Sequence, residues 1–206
     1  MRLSLTPDEL LSTTRAVRKR LDLERPVERE VLLECIELAT QAPSGSNSQG
    51  WHWVFVTDAA KKAGIAELYR SSWSRAYPAA AVADRDEAGK RVYYSANHLA
   101  EHMHEVPVLL IPCLWTRPTG GGNQAGYWGS ILPAVWSFML AARARGLGTS
   151  YTSLHLAYEQ EAAGILGIPY ERCAQAGLIP VAYTKGTDFK PAARNPIDRI
   201  VHWDTW

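Results

Sequence analysis

The spacing of apolar and polar residues predicts helices in the first part of the chain. A capping box spans residues 6–9, with a proline at the first helical position, and predicts a helix that runs to about Thr14. From Val31 the apolar residues again recur at helical spacing, and the Pro43–Gly45 region ends that second helix.

Strands are predicted where apolar residues run without helical spacing. The segment 51–57 is dense in aromatic and β-branched residues and is typical of a strand that Asp58 separates from the next helix. The segment 106–114 is almost entirely apolar, as expected for a strand covered on both faces. Further elements are predicted as a helix ending near 105, a loop over 115–126, a buried helix over 130–145, a strand at about 149–153, a helix at about 158–166 and a strand at about 174–182.

The final stretch, residues 183–206, carries prolines and scattered apolar residues, including Trp203 and Trp206. It has too few residues close together in the sequence to form a core of its own, so we expect it to lie across its own domain or a partner subunit. The whole pattern predicts one α+β domain over residues 1–206, with a central sheet flanked by helices.

Composition narrows the class of protein. The chain has 206 residues, a formal net charge of +1 and 47% apolar residues, which fits a globular domain and gives no basic excess for nucleic acid. The cysteines Cys35, Cys113 and Cys173 form no close pair, which favours reduced thiols in a cytoplasmic protein. The N-terminal sequence does not resemble a signal peptide, and we expect no membrane span.

Two segments carry candidate binding chemistry. The segment 13–20 includes Arg15, Arg18, Lys19 and Arg20; it is interpreted either as a solvated surface at a helix end or as an anion site. The segment 42–51 contains several hydroxyl and amide side chains and lies between a predicted helix and a predicted strand. It is either an ordinary polar turn or the edge of a site for a flat heterocycle.

Together these segments resemble the FMN-dependent nitroreductase family. Arg15-Ala16-Val17-Arg18 is similar to that family's Arg-x-Ser-x-Arg-like motif, and the segment 42–51 is similar to its Ala-Pro-Ser-x-x-Asn-x-Gln-Pro-Trp motif. The segment 140–149, with its Gly-Leu-Gly ending, resembles the family's central helix, and 190–196 resembles its closing Arg-x-Pro motif. The four matches occur in the family's order and cover nearly the whole chain.

The resemblance implies a mostly antiparallel sheet, a homodimer and bound FMN. It implies that Arg15 and Arg194 hold the phosphate and that Arg18 lies near the N1 and C2 carbonyl edge of the flavin ring. Thr152-Ser153-Leu154, as a strand end, would offer a backbone N–H near flavin N5. The remaining cofactor-binding residues implied are Ala16 in the first chain and Pro43, Ser44, Gly45 and Asn47 from the other subunit.

The sequence departs from the family pattern at three positions. Ala16 stands where a serine is usual, Gly50 where a proline is usual, and Thr14 where a second basic residue is frequent. We expect these differences to affect the reduction potential of the flavin more than the binding of the flavin.

The implied activity is transfer of hydride from NADH or NADPH, as co-substrate, to nitroaromatics, quinones or similar small flat molecules by a ping-pong mechanism. Flavin N5 does this chemistry, so no catalytic side chain is predicted. Two alternatives stay open: a protein that stores flavin without turnover, and a related flavin enzyme that acts as a dehydrogenase, dehalogenase or flavin-destroying enzyme.

Other motifs give weaker signals. The segment His98-Leu99-Ala100-Glu101-His102 matches a zinc pattern but lacks a third ligand segment, so we expect no metal. The glycine run 120–122 lacks the Lys-Ser or Lys-Thr of a phosphate-binding loop. The region 115–128 is interpreted either as a flap over the substrate or as a surface loop.

Overall fold

The computed structural model describes residues 2–118 and 124–206. Its helices are α1 (Pro7–Thr13), α2 (Arg29–Ala39), α3 (Ala59–Ala76), α4 (Glu87–His102), α5 (Gln124–Gly129), α6 (Leu132–Ala144) and α7 (Glu159–Leu166). Its strands are β1 (Trp51–Val56), β2 (Val108–Trp115), β3 (Leu147–Thr149), β4 (Cys173–Gln175) and β5 (Ile179–Tyr183). The α+β prediction is therefore confirmed.

The strands form one antiparallel sheet in the order β1-β2-β5-β3, with β4 also paired to β2. Strand β2 is buried over its first seven residues, as its apolar sequence predicts. Its side chains alternate between two cores. Leu109 and Ile111 face α3, α4 and α7, whereas Val108 and Leu110 face α2 and α6. The helices thus cover both faces of the sheet.

The predicted helix starts agree with the structure. In α1 the Thr6 side chain accepts from the Glu9 backbone N–H while Glu9 accepts from the Thr6 backbone, which completes the capping box. In α3 the Asp58 carboxylate accepts from the Lys61 N–H at 2.9 Å.

The basic segment does not lie at a helix end, which corrects one sequence interpretation. Helix α1 ends at Thr13, and its last turn holds no basic residue, so a favourable helix-dipole contact does not explain the cluster. Residues 16–22 instead lie beside the sheet, where a turn closed by Leu21 N and Arg18 O separates two bridges. Ala16 bridges Thr149 in parallel, and Leu21 bridges Thr184 in antiparallel fashion.

The strand expected at 149–153 also lies elsewhere. Gly146 adopts a left-handed φ of 77° that ends the preceding helix, and β3 starts immediately afterwards. Thr152 forms only an isolated bridge with Leu178. The predicted loop 115–126 contains the start of α5 from Gln124, and residues 119–123 lie outside the described residues.

The C-terminal segment divides into two parts. Residues up to Lys190 pack near the basic segment, because Lys185 N donates to Arg20 O and Arg15 donates to Lys190 O. Beyond them the chain forms a short 3-10 helix at Ile197–Arg199. Its apolar side chains are largely exposed; these are Ile197, Ile200, Val201, Trp203 and Trp206. No helix in the described ranges is long and apolar enough to cross a membrane.

Candidate functional site

Arg18 lies where two cavities meet. It lines a basic cavity together with its sequence neighbours and an aromatic cavity together with residues from α3, α4 and the segment after β3. Its guanidinium is partly buried and makes no hydrogen bond or ion pair with any described residue. An arginine has five N–H donors, so this position has capacity for a ligand that accepts hydrogen bonds.

The basic cavity, about 300 Å³ in volume, is lined by residues 15–20 and 188–190 and by Ser95. Backbone hydrogen bonds fix this segment, because Val17 N donates to Thr149 O at 2.8 Å and Leu21 N donates to Arg18 O at 3.2 Å. Its acidic residue, Asp188, is an ion-pair partner of Arg20, which holds the pKa of that carboxyl below its usual value. The remaining charge of the cavity favours an anion.

Two arginines fix the wall of the basic cavity that residues 187–190 form. The guanidinium carbons of Arg20 and Arg143 lie 4.3 Å and 4.9 Å from the centre of the Phe189 ring. Arg143 is only 4% exposed and donates to the carbonyl oxygen of Thr187 at 3.0 Å, yet two of its nitrogens have no partner among the described residues. Burial, followed by the charge of Arg20, lowers the pKa of Arg143.

The second cavity, about 380 Å³ in volume, has aromatic walls. Trp73 packs with its ring centre 4.6 Å from that of Tyr77 and 5.5 Å from that of Tyr93. Its indole N–H donates to Asn97 at 3.0 Å, which fixes the ring. The remaining aromatic lining residues are Tyr69 and Tyr151. Such walls suit a flat ring.

The segment Thr152-Ser153-Leu154 lines the same aromatic cavity as Arg18. The Thr152 N–H is already bonded to Leu178 O at 3.0 Å, and Leu154 begins a short 3-10 turn. The Ser153 N–H has no hydrogen-bond partner within the described ranges. Of the predicted backbone donors, Ser153 is therefore better placed for a ligand than Thr152.

The polar loop of residues 43–47 does not line either cavity in the same chain. Pro43, Gly45 and Asn47 are exposed, and Ser44 is partly buried. Ser46 and Asn47 adopt left-handed backbone angles, and the Gly45 N–H is anchored to the Ser130 hydroxyl at 3.0 Å. The loop is thus anchored at Gly45, and its exposed residues can contact another molecule.

Arg194 lies outside both cavities and is exposed. Among the described residues its guanidinium donates to the adjacent Ala193 carbonyl alone, at 3.3 Å. Lys190, which sequence reasoning did not select, occupies the cavity beside Arg15 instead. Within one chain, the structure therefore brings together Arg15, Ala16, Arg18 and residues 152–154, but neither the loop 43–47 nor Arg194.

The histidine pattern on α4 forms no metal cluster among the described residues. The rings of His98 and His102 lie 4.4 Å apart, and the Nδ1 atom of His102 lies 2.7 Å from a carboxylate oxygen of Glu105. Burial, followed by the nearby His102, lowers the pKa of His98.

The region considered as a flap is described only in part. Trp115, Thr116 and Tyr127 line a separate cavity together with Ser48 and Gly50, rather than the aromatic cavity. The glycine run 120–122 lies outside the described residues.

The aromatic walls could have been found in the sequence. Tyr69, Trp73 and Tyr77 recur at intervals of four residues, which places them on one face of α3 or just beyond its end. Their meeting with Arg18 depends on the pairing of residue 16 with β3, a long-range contact that the sequence does not reveal.

Comparisons with known proteins agree with this architecture. Residues 11–183 match the sequence model of the Nitroreductase family. Over 137 residues the chain is 32% identical to the 5,6-dimethylbenzimidazole synthase of Rhodospirillum rubrum, a match that spans 63% of this chain and 61% of that relative.

Solved structures share the fold at low sequence identity. Iodotyrosine deiodinase, bound to FMN and 3-iodo-L-tyrosine, is 22% identical with a TM-score of 0.72, covering 95% of this chain and 98% of that one. The FMN- and NADPH-dependent nitroreductase NfnB from Sphigopyxis sp. strain HMH is 19% identical with a TM-score of 0.72, covering 98% and 100%. A BluB-like flavoprotein from Clostridium difficile 630 is 14% identical with a TM-score of 0.71, again covering 98% and 100%.

Proposed function

Because this chain belongs to the Nitroreductase family, we propose that it is an FMN-dependent oxidoreductase that passes hydride from NAD(P)H to small flat acceptors such as nitroaromatics or quinones. The observation that carries the proposal is the guanidinium of Arg18, which pairs with no residue in the described ranges and lies between a basic and an aromatic cavity. FMN has matching parts, since it joins an anionic phosphate to a flat ring.

Each part of the proposed site has a role that its chemistry supports. Arg15 and Lys190 supply positive charge for the phosphate, while the backbone of Ala16 lies alongside. Arg18 stabilises negative charge at the N1 and C2 carbonyl edge, and arginine stays charged when partly buried. The Ser153 N–H is available as a donor toward the N5 edge. When bound, FMN supplies the hydride chemistry itself.

The rest of the site would come from a second copy of the chain. The anchored loop with Pro43, Ser44, Gly45 and Asn47 presents polar groups outward but lies away from its own Arg18 cavities. A symmetric dimer can place this loop against the flavin of the partner. The same dimer would bring Arg194 to a phosphate that it does not reach within one chain.

The exposed C-terminal residues 196–206 favour this dimer. They carry five exposed apolar side chains, too many for a tail that stays in water. Strand β1 is an edge strand, and beside it lies an apolar groove of about 670 Å³ lined by Leu33, Ile36 and Trp53, among others. We propose that the tail of the partner copy covers this groove.

Truncation tests the role of the tail. A chain that ends at Asn195 keeps Arg194 and the packed residues up to Lys190, but loses the exposed apolar residues. We expect it to sediment as a monomer or a weak dimer and to bind FMN less tightly, since an obligate interface generally buries more than roughly 2,000 Å². A truncated chain that remains a tight dimer would refute this role of the tail.

Mixing two variants tests whether the site is shared between subunits. Arg15→Ala and Asn47→Ala each damage every site of their own homodimers. In mixed dimers one site carries both changes and the other carries neither, so about a quarter of all sites should recover tight FMN binding after random reassortment. No recovery, despite confirmed exchange of subunits, would contradict a shared site.

We propose that the nicotinamide and the acceptor share one exposed face of the flavin, because the sequence carries no Rossmann fingerprint for a separate dinucleotide site. The two would therefore bind in turn, which gives ping-pong kinetics with parallel double-reciprocal plots and broad tolerance of flat acceptors. Intersecting lines with evidence for a ternary complex would reject this scheme.

A spectrum of the purified protein tests the central proposal. We expect flavin absorbance, release of FMN on denaturation, bleaching by NADH or NADPH, and recovery when a quinone or nitroaromatic is added. A protein that binds no FMN would overturn the proposal. Bound FMN without turnover of any such acceptor would favour a store of flavin instead.

The 32% identity to a 5,6-dimethylbenzimidazole synthase supports a second candidate, a flavin-destroying enzyme. Aerobic incubation of the reduced, FMN-loaded protein separates the two. Chromatographic detection of 5,6-dimethylbenzimidazole would favour the second candidate, whereas stable FMN with turnover of quinones would favour the reductase.

A further inference from the structure

From the contacts of Tyr69 in the aromatic cavity we infer that its phenol is a catalytic proton donor, which protonates a quinone acceptor as the quinone takes up hydride. A quinone that receives a hydride alone is left with a negative charge on one oxygen, so its reduction requires one proton that the hydride donor does not supply. The inference rests on the proposed function, because it adds a catalytic residue to the same site.

The side chain of Tyr69 is fixed in the wall of the aromatic cavity. It extends from α3 and lines the cavity together with Arg18 and residues 152–154. Only 3% of the residue is exposed, so the packing around the ring restrains its orientation. Its hydroxyl points toward Thr152, which lines the same cavity. The phenol is therefore in position before an acceptor binds.

The hydrogen bond at the Tyr69 hydroxyl leaves its proton available. The Thr152 hydroxyl donates to the Tyr69 oxygen at 3.4 Å, so the tyrosine oxygen is the acceptor of that pair. A tyrosine hydroxyl also has one proton to donate. That proton has no acceptor in the part of the chain that the structure describes. An oxygen of a bound acceptor can take this place.

The surroundings of Tyr69 suit both states of a proton donor. Burial raises the pKa of Tyr69, so the phenol keeps its proton until an acceptor is reduced. The hydrogen bond from Thr152 and the charge of Arg18 lower the same pKa, which means that they stabilise the phenolate formed when the proton leaves. A phenol and a hydroquinone are acids of similar strength, which favours a direct transfer between them.

The position of Thr152 brings the proton donor close to the hydride donor. Thr152 contacts Tyr69 through its side chain, and the next residue is Ser153, whose backbone N–H is assigned to the N5 edge in the proposed site. An acceptor in the aromatic cavity would therefore receive its hydride and its proton from neighbouring positions.

Tyr69 completes a balanced reduction of the quinone. The hydride forms a bond to one quinone oxygen, and an electron pair moves through the ring to the other oxygen. The O–H bond of Tyr69 then breaks, its electron pair stays on Tyr69 as a phenolate, and the proton bonds to the second quinone oxygen to give the hydroquinone. After the hydroquinone leaves, water returns a proton to the phenolate, so each turnover consumes one proton from solvent.

Two acceptors that differ in their need for a proton test the inference. Duroquinone takes up hydride and a proton, whereas ferricyanide takes up electrons alone. With the reduced, FMN-loaded protein under anaerobic conditions, Tyr69→Phe should slow reoxidation by duroquinone roughly a hundredfold and leave reoxidation by ferricyanide unchanged. Tyr94→Phe is the matched control, because Tyr94 is exposed on α4 and lies outside the cavity lining; it should react as the unmodified protein does.

Vibrational spectroscopy provides a readout that does not depend on turnover. Acetophenone is a flat carbonyl compound, and its carbonyl stretch falls in frequency when the oxygen accepts a hydrogen bond. Infrared difference spectra of acetophenone bound to the oxidised, FMN-loaded protein should show this lowered frequency. Tyr69→Phe should return the frequency toward that of a carbonyl without a hydrogen bond, and Tyr94→Phe should leave it lowered.

The outcomes separate this inference from the reductase proposal. If Tyr69→Phe reduces duroquinone as fast as the unmodified protein and gives the same carbonyl frequency, the inference fails and the reductase proposal stands. An unmodified protein that reduces no quinone refutes the reductase proposal and this role of Tyr69 with it. If Tyr69→Phe does not fold, the unmodified protein in D₂O replaces it: reoxidation by duroquinone should be slower than in H₂O, and equal rates would overturn the inference.

Discussion

His155 makes the stability of the fold sensitive to mild acid. The side chain is fully buried, and its Nε2 atom lies 3.1 Å from the Oε1 atom of Gln175. The Gln175 amide donates through its nitrogen to the Glu159 carbonyl, so its oxygen is the acceptor and His155 Nε2 carries the proton. The Nδ1 atom is buried without a partner among the described residues. A proton there would have no acceptor.

The size of the effect follows from the pKa. Burial lowers the pKa of His155 from 6.5 to about 4 in the folded protein. Between these values the unfolded chain binds a proton that the folded chain does not, so the free energy of unfolding falls as the pH falls below 6.5. At about pH 5 this one histidine should reduce the free energy of unfolding by about 2 kcal/mol relative to about pH 7.5.

Urea unfolding at the two pH values measures the loss, at fixed protein and FMN concentrations. His155→Gln stays neutral and can still donate an amide N–H to Gln175, so its loss between the two pH values should be smaller by about 2 kcal/mol. His104→Gln, which removes an exposed histidine, is the control and should behave as the unchanged protein does. If the first variant does not fold, NMR titration of the His155 ring replaces it. A ring that protonates near its usual pKa, or a variant with an unchanged pH response, would refute the reasoning.

Two further predictions concern the basic segment and the residues expected to act with it. Arg15→Ala should weaken FMN binding by roughly ten- to a hundredfold, as expected for a lost charge-assisted contact. A similar loss is expected for Arg194→Ala. If equilibrium titration shows an unchanged affinity for either variant, the residue changed in that variant does not belong to the site. Gly148→Ala should lower the free energy of unfolding by about 1–3 kcal/mol and weaken FMN binding, because a Cβ atom would lie 2.7 Å from Thr184 and 3.0 Å from Val17. Gly164→Ala is the matched control in urea unfolding, since a Cβ atom there meets nothing within 4 Å and should stabilise the helix by about 0.5–1 kcal/mol.

The sequence predicts those features that depend on local chemistry. The capping box at Thr6 and the Asp58 cap are local, and the apolar run of β2 identifies a strand buried on both faces whatever its neighbours are. The strand expected at 149–153 was misplaced because the left-handed Gly146 permits β3 to start at once, and because Thr152 pairs with the distant Leu178.

The candidate site depends on contacts that are distant along the chain. Arg18 could be selected from its motif, but the sequence does not say that residue 16 pairs with Thr149 and so brings the arginine beside residues 152–154. Lys190 lies in the basic cavity, where its carbonyl accepts from Arg15, 175 residues away in the sequence. Arg194 follows four residues later and is exposed. Residue type alone does not show which of these two basic residues lines the cavity.

The charge of the basic cavity links the stability of the protein to the binding of an anionic ligand. Its lining includes five basic residues and one acidic residue, Asp188, in a chain whose net charge is only +1. Cations held this close repel one another, so the FMN-free protein should gain stability as salt screens them over about 10 Å at about 0.1 M.

A bound phosphate should relieve the same repulsion. At a fixed FMN concentration, FMN should therefore stabilise the protein most at low salt, where its Kd is lowest. A concentration of about a hundred times the Kd corresponds to a gain of about 2.7 kcal/mol. Urea unfolding with and without FMN, at about 0.02 M and about 0.3 M sodium chloride, measures both responses. Arg15→Ala should reduce both the gain from salt and the gain from FMN, because it removes one of the repelling charges and one phosphate contact together. An FMN-free protein whose stability is unaffected or lowered by salt would show that the cavity charges are already compensated, and an anion would then have no electrostatic reason to bind there.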